Sequence, residues 1–314
     1  MEAKGGVACG YVGTGGGGAV AVEYGGSSGS VLSQLVVRGG EQGAKKGGAG
    51  TVYLKGPSGV YGDLLVDNGG VEGEVTELPA LGGGVVQGGS GGGVLVTGLG
   101  GVPGYFVGHW VEVRDGVGQL KGRWQVGSIA GGVLSLEANG AFGAPNVAVG
   151  DRWQGVYLFD RVVVRDRGKL RSLDPVVSGG AVLGGGGEAV VLEPLRASGA
   201  VEVVGPVAAR RLEVGSLVVR SGGVLSQPLP AAGGGVERLE VEVAGDVTVE
   251  SGGAIDVSGR GYAGGASYPG ATLPGAGSGG SHLGVGGVKT GPGGGTFGSV
   301  VRPQEAGGGG QGTG

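Results

Sequence analysis

A single cysteine, Cys9, stands among 314 residues. One thiol closes no internal disulfide, so no covalent framework holds the chain, and its redox compartment is not legible from cysteine usage. Histidine is almost as scarce. His109 and His282 lie far apart with no Cys, His or acid at ligand spacing, whereas a zinc site takes three or four such ligands. Runs of good helix formers are missing, and glycine interrupts nearly every stretch on the scale of a helix, which excludes a helical class. No apolar run is long enough to cross a bilayer. Residues 1–20 hold one lysine and no apolar core, so no signal peptide is visible there. The formal net charge is −4 with signs mixed along the chain, and without a basic patch nucleic acid is not expected as a partner.

Glycine is abundant, with 87 residues beside 13 prolines. That share usually accompanies low complexity or disorder. Two features oppose that reading for most of the length: valine-rich segments recur between the glycines, and mean hydropathy is +0.20, whereas disordered chains are hydrophilic and charged. No strict Gly-X-Y period is present, which removes collagen.

The recurring unit is clearest at residues 245–259. Val247 and Val249 alternate with Thr248 and Glu250, Ser251-Gly252-Gly253 turns the chain, and Ala254 to Val257 form a second short run. Alternating β-branched residues predict a strand and the glycine pair a corner. Variants occur at 217–225, 162–170, 64–70 and 35–40. Val37 to Val66 is a spacing of 29 and Val219 to Val249 one of 30. Periods in this range mark stacked repeats, so a coil of about this length is expected.

Between Tyr105 and Tyr157 the texture changes. All three tryptophans (Trp110, Trp124, Trp153) lie here with Phe106, His109 and Phe142. Strands are expected at 110–114, 123–129, 133–137 and 147–149, forming a small antiparallel barrel or meander with an aromatic core. Residues 259–314 hold 23 glycines in 56 positions. With few apolar side chains to offset ordering, this segment is expected either to be mobile or to be held by backbone hydrogen bonds. The glycine-rich head and tail share one texture. The chain is therefore expected to be an excerpt holding about one period of a larger repeat, roughly 300 residues long.

Four phrases carry a resemblance: residues 47–55 (G-G-A-G-T-V-Y-L-K), 61–70 (Y-G-D-L-L-V-D-N-G-G), 149–165 (V-G-D-R-W-Q-G-V-Y-L-F-D-R-V-V-V-R) and 253–262 (G-A-I-D-V-S-G-R-G-Y). Together they resemble large glycine-rich bacterial surface proteins of the adhesin type, built from parallel β-helix repeats. The resemblance implies an extracellular or cell-surface scaffold and no reaction, because the shared motifs are structural.

Candidate chemistry is thin. Asp160, Asp166 and Asp174, with Arg161, Arg165 and Arg171, form the densest charged group. Paired-carboxyl hydrolysis needs two acids about 5–9.5 Å apart, and Asp160 and Asp166 sit at opposite ends of one strand, so a solvated face is the simpler reading. Gly-x-Gly-x-x-Gly spacings arise by chance throughout such a chain, and none opens a helix. The tryptophans are expected in the core rather than as sugar platforms. Tyr262 and Tyr268, set among glycines, are the residues named for surface contact. The sequence thus predicts an all-β fold, a parallel β-helix (β-solenoid) with a small antiparallel insertion and glycine-rich loops. Its parts are coils over 1–104, the insertion over 105–157, coils over 158–258 and a glycine-rich segment over 259–314. The expected role is a non-enzymatic extracellular stalk, spacer or filament subunit without cofactor, contacting neighbouring copies or repeats. A carbohydrate-active or carbohydrate-binding β-helix protein, or a receptor-binding module using the glycine-rich segment, is the alternative.

Overall fold

The structure, a computed structural model, describes residues 1–7, 12–88, 92–229 and 235–312; Cys9 and the last two residues of the tail lie outside these. Regular structure in the described residues is β, apart from two short 3-10 turns at Val31–Gln34 and Gly104–Phe106. No helix there is long and apolar enough to cross a membrane. The strands form one 14-stranded and one 6-stranded sheet.

From Tyr157 to Ile255 the chain visits three stacks of short parallel rungs, always in the same order. Tyr157–Phe159, Val176–Ser178, Leu195–Ala197, Leu212–Val214 and Val241–Val243 make the first. Val162–Val164, Ala181–Leu183, Val201–Val203, Leu217–Val219 and Val247–Val249 make the second. The third is the 6-stranded sheet, running from Thr76–Leu78 through Lys169–Ser172, Ala189–Val191, Pro206–Ala209 and Val224–Ser226 to Ala254–Ile255. Because side chains alternate along a strand, every second residue points inward and meets its register partner on the next rung. The result is columns such as Val66, Val164, Leu183, Val203 and Val219, all 0% exposed. Burying each such side chain contributes roughly 1.5–3 kcal/mol. Outside, arginine–glutamate pairs tie rungs together. Arg220 reaches Glu202 on one neighbouring rung at 3.1 Å and Glu250 on the other at 2.6 Å.

The corners follow from residue type. Gly222 and Gly252 take φ of 79° and 83°, the left-handed region that glycine enters without penalty. At the equivalent corner nearer the N-terminus, Asp166 and Arg167 occupy this region instead, with φ of 49° and 65°.

The spacing expectation was half right. Val219 and Val249 are register partners. Val37 and Val66 are not: Val66 pairs with Val164, while the Val37 carbonyl accepts from the Gly50 amide at 2.6 Å. Most rungs recur at shorter intervals, as with Val162 opposite Ala181 and Val201 opposite Leu217. The last interval, from Leu217 to Val247, is longer than these.

The antiparallel unit is present but wider than expected. It takes in Gly83–Val85 and Val94–Val96 as well as Trp110–Arg114, Leu120–Ala130 and Val133–Glu137. Residues 147–149 form no strand; Val147 is buried and Val149 faces solvent. One long strand, Arg152–Arg165, belongs to both parts: its first half pairs antiparallel with Trp110–Arg114 and its second half parallel with Asp63–Asp67 and Val176–Leu183. The chain leaves the stack after Leu78 and rejoins it at Tyr157. Upstream, Thr51–Lys55 pairs antiparallel with Asp63–Asp67, where coils were expected. The connection between them is too short for a parallel crossover.

The glycine-rich segments carry backbone bonds in place of strands. In the tail, Tyr262 N–H donates to Gly307 O, Gly265 to Gly310 and Gly309 to Ala266, each at 2.8–2.9 Å. A Cβ on Gly309 would stand 1.9 Å from the Ala263 carbonyl oxygen, so only glycine permits that approach. The segment bonds chiefly to itself and is tied to the stack through Gln227, whose amide donates to Arg260 O at 2.7 Å.

Candidate functional site

Tyr262 and Tyr268 lie on one groove of about 630 Å³, beside Arg210, Arg211, Glu237 and Glu305. They are less isolated than their glycine surroundings imply. Tyr262 is half-buried, and Tyr268, 42% exposed, stacks on Phe297 at 5.4 Å between ring centres. The arginines of this groove are engaged by carboxylates. Arg210 forks onto Glu237 at 2.7 and 2.6 Å, and Arg211 donates to Glu213, Glu240 and Glu242. A bidentate arginine pair has satisfied its strongest recognition geometry, which leaves little to hold an incoming anion.

A second cleft, about 350 Å³, opens where the antiparallel unit meets the parallel stack. Strand alternation explains its lining. Val111 and Val113 point into the aromatic core of the antiparallel unit, both 0% exposed, so Trp110 must point the other way. Gln125 is its cross-strand partner on that outer face. Trp124 and Trp153 are core residues, 1% and 2% exposed, as expected. Trp110 is the exception, meeting Tyr61 edge to face at 5.2 Å. Tyr53 and Tyr157 complete the wall from the parallel side, with Tyr105 exposed at the mouth. The Tyr53 hydroxyl donates to Tyr61 O at 3.0 Å and the Tyr157 hydroxyl to Pro79 O at 2.6 Å. Burial, helped by Asp174 and Tyr105, pushes the Tyr157 phenol well above the usual tyrosine range, so it stays protonated.

The three acids grouped in the sequence go to separate tasks. Asp160 accepts from the Tyr61 and Gly62 amides at 3.0 and 2.8 Å. Asp166 sits in the left-handed corner near Arg165; burial, then Asp67, raises its carboxyl. Asp174 departs from the solvated-face expectation. It is 1% exposed and accepts from Leu81 N–H at 2.7 Å, Gly82 N–H at 3.0 Å and the Gln154 amide at 3.0 Å. This carboxylate pins the point where the chain leaves the stack, and Gly155 leaves room for it, since a Cβ there would fall 2.4 Å from its Oδ2. His109 lies against it, Nε2 to Oδ2 3.4 Å, with its ring edge-on to Tyr157. Among the described residues no group of three His, Cys, Asp or Glu side chains is placed to hold a metal ion.

The cleft was readable in part. Trp110 shares its alternation phase with Glu112 and Arg114, which marks it as outward-facing. The tyrosines opposite come from strands distant in sequence, and nothing local announces them. No family model, curated protein or solved structure matches this chain.

Proposed function

We propose that this chain is a structural protein, a β-solenoid of the parallel β-helix type acting as an extracellular stalk or spacer, which assembles by placing its last coil against a second copy. The observation that carries this reading is the state of the columns at their C-terminal end. Leu64, Val162, Ala181, Val201 and Leu217 are at most 3% exposed, yet Val247, next in the same column, is 52% exposed. Val249 and Ile255 end their columns at 46% and 47%. Inward-pointing apolar side chains on an uncovered rung, beside an unpaired strand edge, form a surface that another rung satisfies. At the opposite end the second stack runs on from Asp63–Asp67 into Thr51–Lys55 and Ala19–Glu23, which cover its first rung. A covered first rung and an uncovered last rung favour pairing of last rungs. The extracellular placement rests on the resemblance of the strand-and-glycine phrases to bacterial surface proteins.

Sedimentation velocity over a range of concentrations tests this. Reversible self-association is expected, abolished by Val247→Lys with Val249→Lys. A strictly monomeric wild-type chain at every concentration reached would overturn the assembly.

A further inference from the structure

We infer that the aromatic cleft between the antiparallel unit and the parallel stack is a binding site for a neutral saccharide, one or two pyranose rings in size. The first support is charge. Among the described residues that line the cleft there is no Lys, Arg, Asp or Glu, and its one imidazole, His109, is turned onto the buried Asp174, Nε2 to Oδ2 3.4 Å. An anionic or cationic ligand would be desolvated there without a counter-charge, at high cost. The ligand that fits is uncharged.

The second support is the direction of the hydrogen bonds. The hydroxyl protons of Tyr53 and Tyr157 are already committed to the backbone carbonyls of Tyr61 and Pro79. One N–H of the Gln125 amide is committed to Gly108 O at 3.2 Å. What the two tyrosine hydroxyls still offer is oxygen lone pairs, and Gln125 adds its amide oxygen beside one remaining N–H. A neutral partner that satisfies several acceptors at once is a polyol supplying O–H donors. The third support is shape. Trp110 and Tyr61 stand at 82° to each other, so the wall presents ring faces in two directions for the C–H faces of a sugar. The volume, about 350 Å³, is at the lower end of small-molecule sites. These features do not depend on the stack continuing onto another copy.

The experiment titrates the full chain with neutral sugars (glucose, galactose, mannose, N-acetylglucosamine and their disaccharides), with galacturonate and glucosamine as charged counterparts and indole as an apolar probe. Calorimetry gives affinity. Tryptophan emission reports the cleft, because Trp124 and Trp153 are buried elsewhere. At least one neutral sugar is expected to bind and shift the emission, with both charged sugars at least tenfold weaker. Trp110→Ala is expected to weaken binding at least tenfold. Gln125→Ala, a surface change that leaves the core untouched, is expected to weaken it several-fold with an unchanged circular dichroism spectrum. The inference is overturned if no neutral sugar binds, if indole alone binds, if charged sugars bind equally well, or if Gln125→Ala in a folded chain leaves affinity unaltered.

Discussion

Two valines of one column make a sharp comparison. Val203 lies between Leu183 and Val219 and is 0% exposed; Val249 ends the same column and is 46% exposed. Truncation to alanine removes two carbons at either position. At Val203 both are fully buried, which forfeits about 1.6 kcal/mol of transfer free energy at ~0.8 kcal/mol per buried methylene. The closed column cannot collapse onto the gap, so a cavity adds up to roughly another 1 kcal/mol. Val203→Ala is therefore expected to cost about 2–3 kcal/mol. At Val249 about half of the transfer contribution is already absent and no closed cavity forms, leaving ~0.8 kcal/mol. Urea unfolding at dilute concentration, followed by circular dichroism, measures both losses from the shift in midpoint at constant slope. A ratio near three is expected. Equal losses would mean that the two positions are equally covered, and the last rung would not be open. The same measurement at high protein concentration carries a second signature: covering by another copy raises the Val249→Ala cost toward that of Val203→Ala.

Gly309→Ala is expected to loosen the glycine-rich tail, since its Cβ would fall 1.9 Å from the Ala263 carbonyl oxygen, whereas Gly312→Ala meets nothing within 4 Å. Amide exchange at Tyr262 and Gly309 should accelerate at least tenfold, roughly 1.4 kcal/mol of local stability, in the first variant only. Burial alone would raise the Glu112 carboxyl, but hydrogen bonds from Arg123 and Arg114 outweigh it and hold the group below its ordinary 4.5. A depressed carboxyl contributes stability in full above that ordinary value and loses it as pH falls through the lowered one. Glu112→Gln should therefore cost about 1 kcal/mol at neutral pH and flatten the acid side of a pH–stability curve.

What the sequence made legible was what local pattern controls. Alternating valines set the strands, and Ser221-Gly222-Gly223 and Ser251-Gly252-Gly253 set corners, because both effects act within a few residues. The Val219–Val249 partnership was visible because those phrases are near-identical. The shorter intervals were not, since between Val176 and Leu195 the strand shifts register at Gly179-Gly180 and the chain turns at Gly184 to Gly186, with no repeated phrase. The extent of the antiparallel unit was hidden because Gly83–Val85 is a strand through its pairing with Arg152–Gln154 alone. Asp174 illustrates the same limit. Nothing in its flanking residues, Leu173 and Pro175, marks it, and the amides that hold it belong to Leu81 and Gly82, more than ninety residues away. The cleft likewise joins Trp110, Tyr53 and Tyr157 from three separate strands, a convergence that only the register between sheets creates.

The antiparallel unit departs from the parallel stack at Leu78 and comes back at Tyr157, and the Tyr157 hydroxyl donates to the carbonyl of Pro79, the residue after Leu78, at 2.6 Å. Exit and re-entry are thus close neighbours. Whatever hangs between them is a cassette: it can be lengthened, exchanged or excised while the spine keeps its pitch, provided the Asp174 clasp has amides to hold.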